Sequence, residues 1–318
     1  MASLTQLEYL VAVDRHRHFG KAALACHVSQ PTLSMQLHKL EEEYGLLLFD
    51  RSKQPILPTS EGLVIIEQAK VVLREAGKLD YLSKNRSLEP SGQFRLALIP
   101  TIAPYLLPLF LGAFAKRYPE VELLLSEMTT ASIIDGLAND SIDAGILATP
   151  LPGAPLIERK LYYEPFLLYV NQHHELAALD QIKEDKLDAK DIWLLTEGHC
   201  LRDQIVRICS LRGKHGIFPN VQFESGSLET VINLVEQGHG YTLLPQLATQ
   251  AIRGQSRGKI KALLKPFAKP IPSREVSLVY QRSQHKIAVL DALTAEILKC
   301  LPSGLPREKN RGIEVVRI

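Results

Sequence analysis

A polar stretch from Asn85 to Gly92, carrying Pro90 and Gly92, divides this chain into two unlike textures and so limits what it can fold into. Before it, apolar residues recur at helical spacing. After it, short apolar runs of strand length alternate with helical ones. A helical unit followed by an α/β unit fits both halves, and 318 residues give room for ample cores. No apolar run approaches the roughly 18 residues that a membrane span needs. Met1 to Gln6 lacks a basic-then-apolar secretory signal. Four cysteines are too few for a disulfide scaffold in a chain this long, so a cytoplasmic protein is expected.

Leu4, Leu7, Leu10, Val11 and Val13 predict a first amphipathic helix, interrupted at His16-Arg17-His18-Phe19-Gly20. A short second helix follows from Lys21 to Cys26, where Ala22, Ala23 and Ala25 allow close contact. His27 to Thr32 reads as a turn, with Ser29 as N-cap and Pro31 where a first helical turn tolerates proline. A third helix, Pro31 to Tyr44, buries Leu33, Leu37 and Leu40. It leaves Thr32, Ser34, Gln36 and Lys39 outward and stops at Gly45. Two short helices across a tight turn, the second starting with small polar side chains, suit a helix-turn-helix that reads base edges in the major groove. Leu46–Phe49 and Pro55–Pro58 can pair as a wing that brings Arg51 and Lys53 to phosphates. A helical bundle with no DNA role shares this pattern. Bulk charge does not decide, since residues 1–90 hold eleven Lys/Arg and eleven Asp/Glu.

Leu7-Glu8-Tyr9-Leu10, Phe19 to Ala23, Val28 to Ser34, Leu40-Glu41, Gly45, Leu48-Phe49, Arg51 and Thr59-Ser60-Glu61-Gly62 resemble, in order, the winged helix-turn-helix of LysR-type transcriptional regulators. The resemblance implies a dimer on promoter DNA, with Ser29, Gln30, Pro31, Thr32 and Ser34 at the entry of the recognition helix. From Ser60 to Leu82 a long helix carries Leu63, Ile66, Ala69, Val72, Leu73 and Leu79, a one-sided stripe suited to dimerisation. The expected divisions are 1–60 for the winged helix-turn-helix and 61–91 for the linker helix and hinge.

From Gln93 the order is strand Phe94–Ile99, helix Leu106–Tyr118, strand Val121–Leu125, helix Ala131–Asn139 and strand Ala144–Ala148. That βαβ order implies a parallel sheet with a cleft at the carboxyl ends of its strands. A second set begins near Phe166 and includes Trp193-Leu194-Leu195, Val221–Phe223 and Tyr241–Pro245. Val276–Tyr280 and a closing helix, Ile287–Cys300, return the chain. Two α/β lobes fit these lengths. Ser225 to Val231, Val235, Gly238, Gly240 and Leu244-Pro245 resemble the second lobe of the LysR-type regulatory domain, which is similar to periplasmic binding proteins. The fold expected is α/β, with a two-lobed regulatory domain over 92–302 and a loose, polar tail over 303–318. No Walker loop, Rossmann fingerprint or hydrolase elbow appears. Gly238-His239-Gly240 is too short for a phosphate loop.

Cys26, beside alanines, and Cys300, on the last amphipathic helix, read as small buried hydrophobes. Cys200 differs. Thr196-Glu197-Gly198 is a natural turn into a helix, and a helix N-terminus favours a thiolate. His199 and Arg202 add donors or positive charge, and Asp203 can orient Arg202. Thr101 and Thr130, each just beyond a first-lobe strand, can supply hydroxyl donors to a pocket. Cys209 follows nine residues on. Intact helix between the two would advance roughly 13.5 Å, whereas a disulfide tolerates Cα separations of about 4.4–6.8 Å. Bonding them would therefore remodel the segment. A metal site involving His199 and His215 is the poorer alternative, because the spacing is not that of paired zinc cysteines. A pair of packed thiols remains open.

Gly198 to Gln204 with Cys209, Leu98-Ile99-Pro100-Thr101, Tyr105 to Pro108, and Glu127 with Thr130 are similar to the peroxide-responsive branch of the LysR-type family. That likeness implies Cys200 as the peroxidatic thiol, Cys209 as the resolving one, and a pocket of Thr101 and Thr130 with His199, Arg202 and Asp203 around it. It implies a non-enzymatic regulator without a cofactor, working on promoter DNA as a dimer of dimers. RNA polymerase and a thiol reductant would be its partners and hydrogen peroxide its signal. A regulator of the same family answering a small organic acid, and a thiol peroxidase, are the competing readings.

Overall fold

The computed structural model describes residues 2–84, 89–188, 191–209, 225–238, 240–254 and 262–317. The strand expected at Val221–Phe223, His215, His239 and the hinge residues 85–88 lie outside them. Two compact units divide the chain, Met1–Leu88 and Glu89–Ile318.

In the first unit α1 (Leu4–His16) opens with a capping box in which the Ser3 hydroxyl accepts from the Gln6 amide and Gln6 Oε1 accepts from the Ser3 amide at 2.9 Å. α2 (Phe19–Ala25) is capped by the His18 ring, and α3 (Gln30–Tyr44) by Ser29, whose hydroxyl accepts from the Thr32 amide. These caps satisfy amides that a helix start leaves open. Leu7, Leu10, Val13, Ala22, Ala23, Leu33, Leu37 and Leu40 form one core with Leu48, and with Ile66 and Ala69 of α4 (Ser60–Lys84). β1 (Phe49–Asp50) and β2 (Leu57–Pro58) pair antiparallel. The ladder is shorter than the apolar runs that announced it, because Pro55 and Pro58 bring no amide N–H to it. Ile66 and Ala69 of the stripe expected on α4 are thus taken up by the core of this unit, while Leu63, Val64 and Leu79 of the same helix are exposed.

The second unit runs β3 (Gly92–Leu98), α5 (Ala103–Arg117), β4 (Val121–Glu127), α6 (Thr130–Ala138), β5 (Ala144–Thr149) and β6 (Leu156–Asn171). It continues with α7 (Cys200–Ile208), α8 (Leu228–Glu236), β7 (Tyr241–Pro245), α9 (Gln246–Gly254), β8 (Ala262–Pro266), β9 (Ile271–Gln281), α10 (Ile287–Cys300) and β10 (Ile313–Val315). β4, β3 and β5 are parallel, as the βαβ order requires, and β9 closes them antiparallel. β6 and β9 form a long antiparallel spine. Around it lie two separate cores, one built on Phe94, Leu106, Phe110 and Leu278, the other on Phe166, Tyr169, Val231 and Leu243. The lobes are these two cores. Strand β6 begins ten residues before the expected Phe166, because Glu158, Arg159, Lys160, Glu164 and Pro165 interrupt its apolar pattern.

Two expectations fail here. Trp193-Leu194-Leu195 is not a strand. The Trp193 amide donates to the Tyr241 carbonyl at 2.8 Å, its carbonyl accepts from the Thr242 hydroxyl, and the pairing at Ile192 stops after one bridge. The tail is not loose either. β10 pairs parallel to β9, Ile313 opposite Ile271 and Val315 opposite Ser273, and Leu305 and Ile313 are buried. Arg307-Glu308-Lys309-Asn310-Arg311, the charged run that gave the tail its polar look, is the exposed loop between those anchors.

Candidate thiol site

Gly198 turns the chain at φ +88°, a conformation that L side chains rarely adopt, and delivers it into α7. Cys200 is the first residue of that helix and Cys209 its C-cap, with nine helical residues from Cys200 to Ile208. Both thiols are free. Cys200 is 4% exposed and packs into the first core; Cys209 is 6% exposed and packs into the second. One helix thus spans two cores with a thiol in each.

Burial raises the Cys200 thiol above its ordinary value, against the opposing pull of Arg274, the Thr130 hydroxyl and the Leu201 amide; Asp203 adds to the rise. Cys209 is pushed up to about 12 by burial, with Glu184 adding to it. Both are thiols at neutral pH.

The cation at Cys200 is one that local sequence did not reveal. Arg274, on β9, is 1% exposed and lies 2.7 Å from the Oε2 of Glu164, itself fully buried. Its Nε donates to the same oxygen at 2.8 Å, while Glu164 Oε1 accepts from the Leu247 amide at 2.7 Å. Nη1 donates to Thr101 Oγ1 and Nη2 to the Thr101 carbonyl, both at 3.1 Å. With one lone pair of its oxygen so engaged, Thr101 keeps its own O–H to donate. The Thr130 hydroxyl oxygen is buried and makes no hydrogen bond of good geometry, yet it lies near enough to the sulfur to favour the thiolate. Thr101 follows β3 and Thr130 opens α6, so both sit beyond the carboxyl ends of parallel strands.

The helix's other expected contributors stand elsewhere. Burial lowers the His199 pKa, which keeps the ring neutral at physiological pH. Arg202 turns away to Glu197, 3.5 Å off, rather than to Asp203, which is exposed. No local signal marked Arg274, since Ser273 and Glu275 flank it on Ile271–Gln281 and make it look like an ordinary solvated strand position. Among the described residues no group of three or more His, Cys, Asp or Glu is placed to hold a metal.

On the first unit Ser29, Gln30, Pro31, Thr32 and Lys39 are exposed and Ser34 and Gln36 half-buried along α3. Lys53 stays largely free, 3.8 Å from Asp50. Arg51 does not: its Nη2 lies 2.6 Å from Glu41 Oε2 and its guanidinium covers the Phe19 ring. Glu41, buried, also accepts from the Leu48 amide at 2.9 Å, so the Arg51–Glu41 pair ties the wing to α3.

Comparison with known proteins agrees with this architecture. Residues 4–63 match the model of the bacterial regulatory helix-turn-helix proteins of the lysR family, and residues 87–300 match the LysR substrate binding domain. A hydrogen peroxide-inducible genes activator of Dickeya chrysanthemi is 38% identical over 279 residues, 88% of this chain and 89% of the relative. The DNA-binding transcriptional dual regulator OxyR of Escherichia coli K12 is 37% identical over 279 residues, again 88% and 89% of the two chains. The solved structure of a cysteine-to-aspartate variant of full-length OxyR from Pseudomonas aeruginosa superposes with a TM-score of 0.78 at 32% identity, covering 95% of this chain and 99% of that one.

Proposed function

The chain belongs to the lysR family of DNA-binding transcriptional regulators, and on that premise we propose that it activates antioxidant genes by sensing hydrogen peroxide through Cys200 and Cys209. One observation carries this reading: two free thiols at opposite ends of one helix, the first near the Thr130 hydroxyl and a buried arginine that is itself bonded to Thr101. The Cys200 thiolate attacks one peroxide oxygen and the O–O bond breaks. Sulfur becomes a sulfenic acid, and the departing hydroxide takes up the thiol's proton as water. Arg274 stabilises the thiolate, and the hydroxyls of Thr101 and Thr130 donate to the peroxide oxygens. The Cys209 thiol then displaces the sulfenic hydroxyl as a second water and closes the disulfide. Two thiols and one peroxide give one disulfide and two waters.

The rise of roughly 13.5 Å along α7 cannot coexist with that bond, so oxidation remodels the helix and with it the interface between the two cores. On the DNA side Ser29, Gln30, Pro31, Thr32, Ser34, Gln36 and Lys39 face the major groove and Lys53 a phosphate. Exposed apolar residues of α4 pair two chains, and two such pairs make a tetramer. Residues 1–60 act as the DNA-binding domain, 61–91 as linker and hinge, 92–302 as sensor, and 303–318 as an extension of the sensor. RNA polymerase, a thiol reductant and a cytoplasmic setting complete the reading. No helix among the described residues is long and apolar enough to cross a membrane.

The test is operator footprinting of reduced and peroxide-treated protein, paired with mass spectrometry of its thiols. Sub-millimolar peroxide should yield a Cys200–Cys209 crosslink and a changed footprint, and Cys200→Ser should show neither. Protein that stays fully reduced, or a footprint that changes in Cys200→Ser as well, overturns the proposal.

A further inference from the structure

The last residues of the chain fasten the thiol helix to the strand that carries Arg274. Val316 donates its amide to the Ser273 carbonyl at 2.9 Å, and its own carbonyl accepts the side-chain amide of Gln204 at 3.1 Å. Ser273 adjoins Arg274 on β9, with Val315 opposite it in the ladder. Gln204 lies between the two cysteines on α7 and is fully buried, and its Oε1 has no partner among the described residues. Leu305 packs in the first core and Val316 against the second, so the tail crosses from one lobe to the other before it reaches α7. Glu184, whose pKa is raised by burial and then by nearby Glu314 on β10, is also the charge that adds to the effect of burial at Cys209. The tail therefore bears on the middle of α7 and on the surroundings of its far end.

Joining Cys200 to Cys209 requires their Cα atoms within about 4.4–6.8 Å, about half the helical rise between them or less. The turn containing Gln204 lies inside the segment that must unwind. We infer that residues 313–316 are a latch on the reduced form of α7, engaged in the dithiol and given up in the disulfide. This rests on the peroxide-sensing reading above. The latch takes part in no bond exchange. It weights one side of a two-electron equilibrium in which the dithiol and oxidised glutathione become the protein disulfide and two reduced glutathione thiols. A contact present in only one of two states shifts their balance by its full free energy. A buried hydrogen bond of ordinary net strength corresponds to about fivefold, or about 20 mV for two electrons.

The experiment is a titration of the full-length protein in glutathione buffers, with the Cys200–Cys209 disulfide quantified by mass spectrometry. Four proteins are compared: wild type, Gln204→Met, a truncation after Glu314, and the two changes combined. Each single change should favour the disulfide about fivefold, making the potential more negative by about 20 mV. The combination should match the truncation alone, since both remove the same bond. An unmoved potential in Gln204→Met, a shift in the opposite sense, or a Gln204→Met effect that adds in full to the truncation would overturn the latch. If the truncated chain does not fold, Gln204→Met alone decides. If peroxide-treated wild type forms no Cys200–Cys209 bond, the sensing proposal fails and the latch fails with it. Identical titrations in a wild type that does form the bond sink the latch only.

Discussion

Cys200 and Cys209 stand at the two ends of one unbroken helix and in two different hydrophobic cores. Neither thiol can reach the other without leaving a core. Both are raised in pKa by burial, Cys209 to about 12, so in the reduced protein both should resist iodoacetamide near neutral pH. Cys26 and Cys300, half-buried, should label first. Peptide mapping over a labelling time course checks the order, and early modification of Cys209 would contradict its burial.

The same shift sets a pH dependence. The thiolate is the nucleophile, and the Cys200 pKa lies above its ordinary value, near 8.5 for a free thiol. The thiolate fraction therefore grows about tenfold per pH unit across pH 6 to 8. Stopped-flow oxidation of a Cys209→Ser variant by peroxide should climb with that slope. A plateau reached below pH 7 would show that Arg274 outweighs burial.

Arg274 and Glu164 offer a way to separate fold from chemistry. Arg274→Met alone strands the Glu164 carboxylate, and breaking such a pair costs about 3–5 kcal/mol. Glu164→Gln with Arg274→Met removes both charges and should recover most of that stability in denaturant titrations. It should not recover the oxidation rate, which stays about tenfold or more below wild type because the thiolate has lost its cation. Full recovery of both would make Arg274 a purely structural residue.

The wing makes a distinct prediction for DNA. Lys53→Ala should lower the slope of log affinity against log salt by about 1, as expected for a lost phosphate contact. Arg51→Ala should weaken binding with little change in slope, because Arg51 is engaged with Glu41. Fluorescence anisotropy at several salt concentrations distinguishes the two, and equal slopes would place Arg51 on a phosphate.

Gly62 tests the corner where the wing meets α4. A Cβ there would fall 2.1 Å from the Leu48 carbonyl oxygen, backbone that has little room to yield. Gly62→Ala should destabilise the first unit by about 2 kcal/mol, lowering its melting transition by roughly 10 °C and leaving the second unit's transition in place. Calorimetry of the full chain reads both.

The elements that the sequence announced were those whose cause is local. Ser29 and Gly45 bracket α3 because capping depends on a few neighbouring residues, and the apolar spacing of Leu33, Leu37 and Leu40 lies within one helix. Arg274 was hidden because its partners, Thr101 and Glu164, are 173 and 110 positions away. Arg202 stood in for it on adjacency alone. β10 was missed because three residues carry no periodicity of their own; Ile313–Val315 is a strand only because β9 offers it an edge. The reading of Trp193–Leu195 failed for the converse reason, an apolar run beside which the strand pairing ends after one bridge, at Ile192.

The division of α7 between two cores also governs how the protein would recover. Leu201, Ile205 and Ile208 are buried when the helix is intact, and oxidation would disturb their packing without altering their chemistry. Were such a sulfur–sulfur bond cut again, the displaced apolar surface would draw the segment home unaided. Such a device would be self-rewinding. How long it stays triggered would then be metered by the supply of electrons to one bond, with no further component needed to restore its shape.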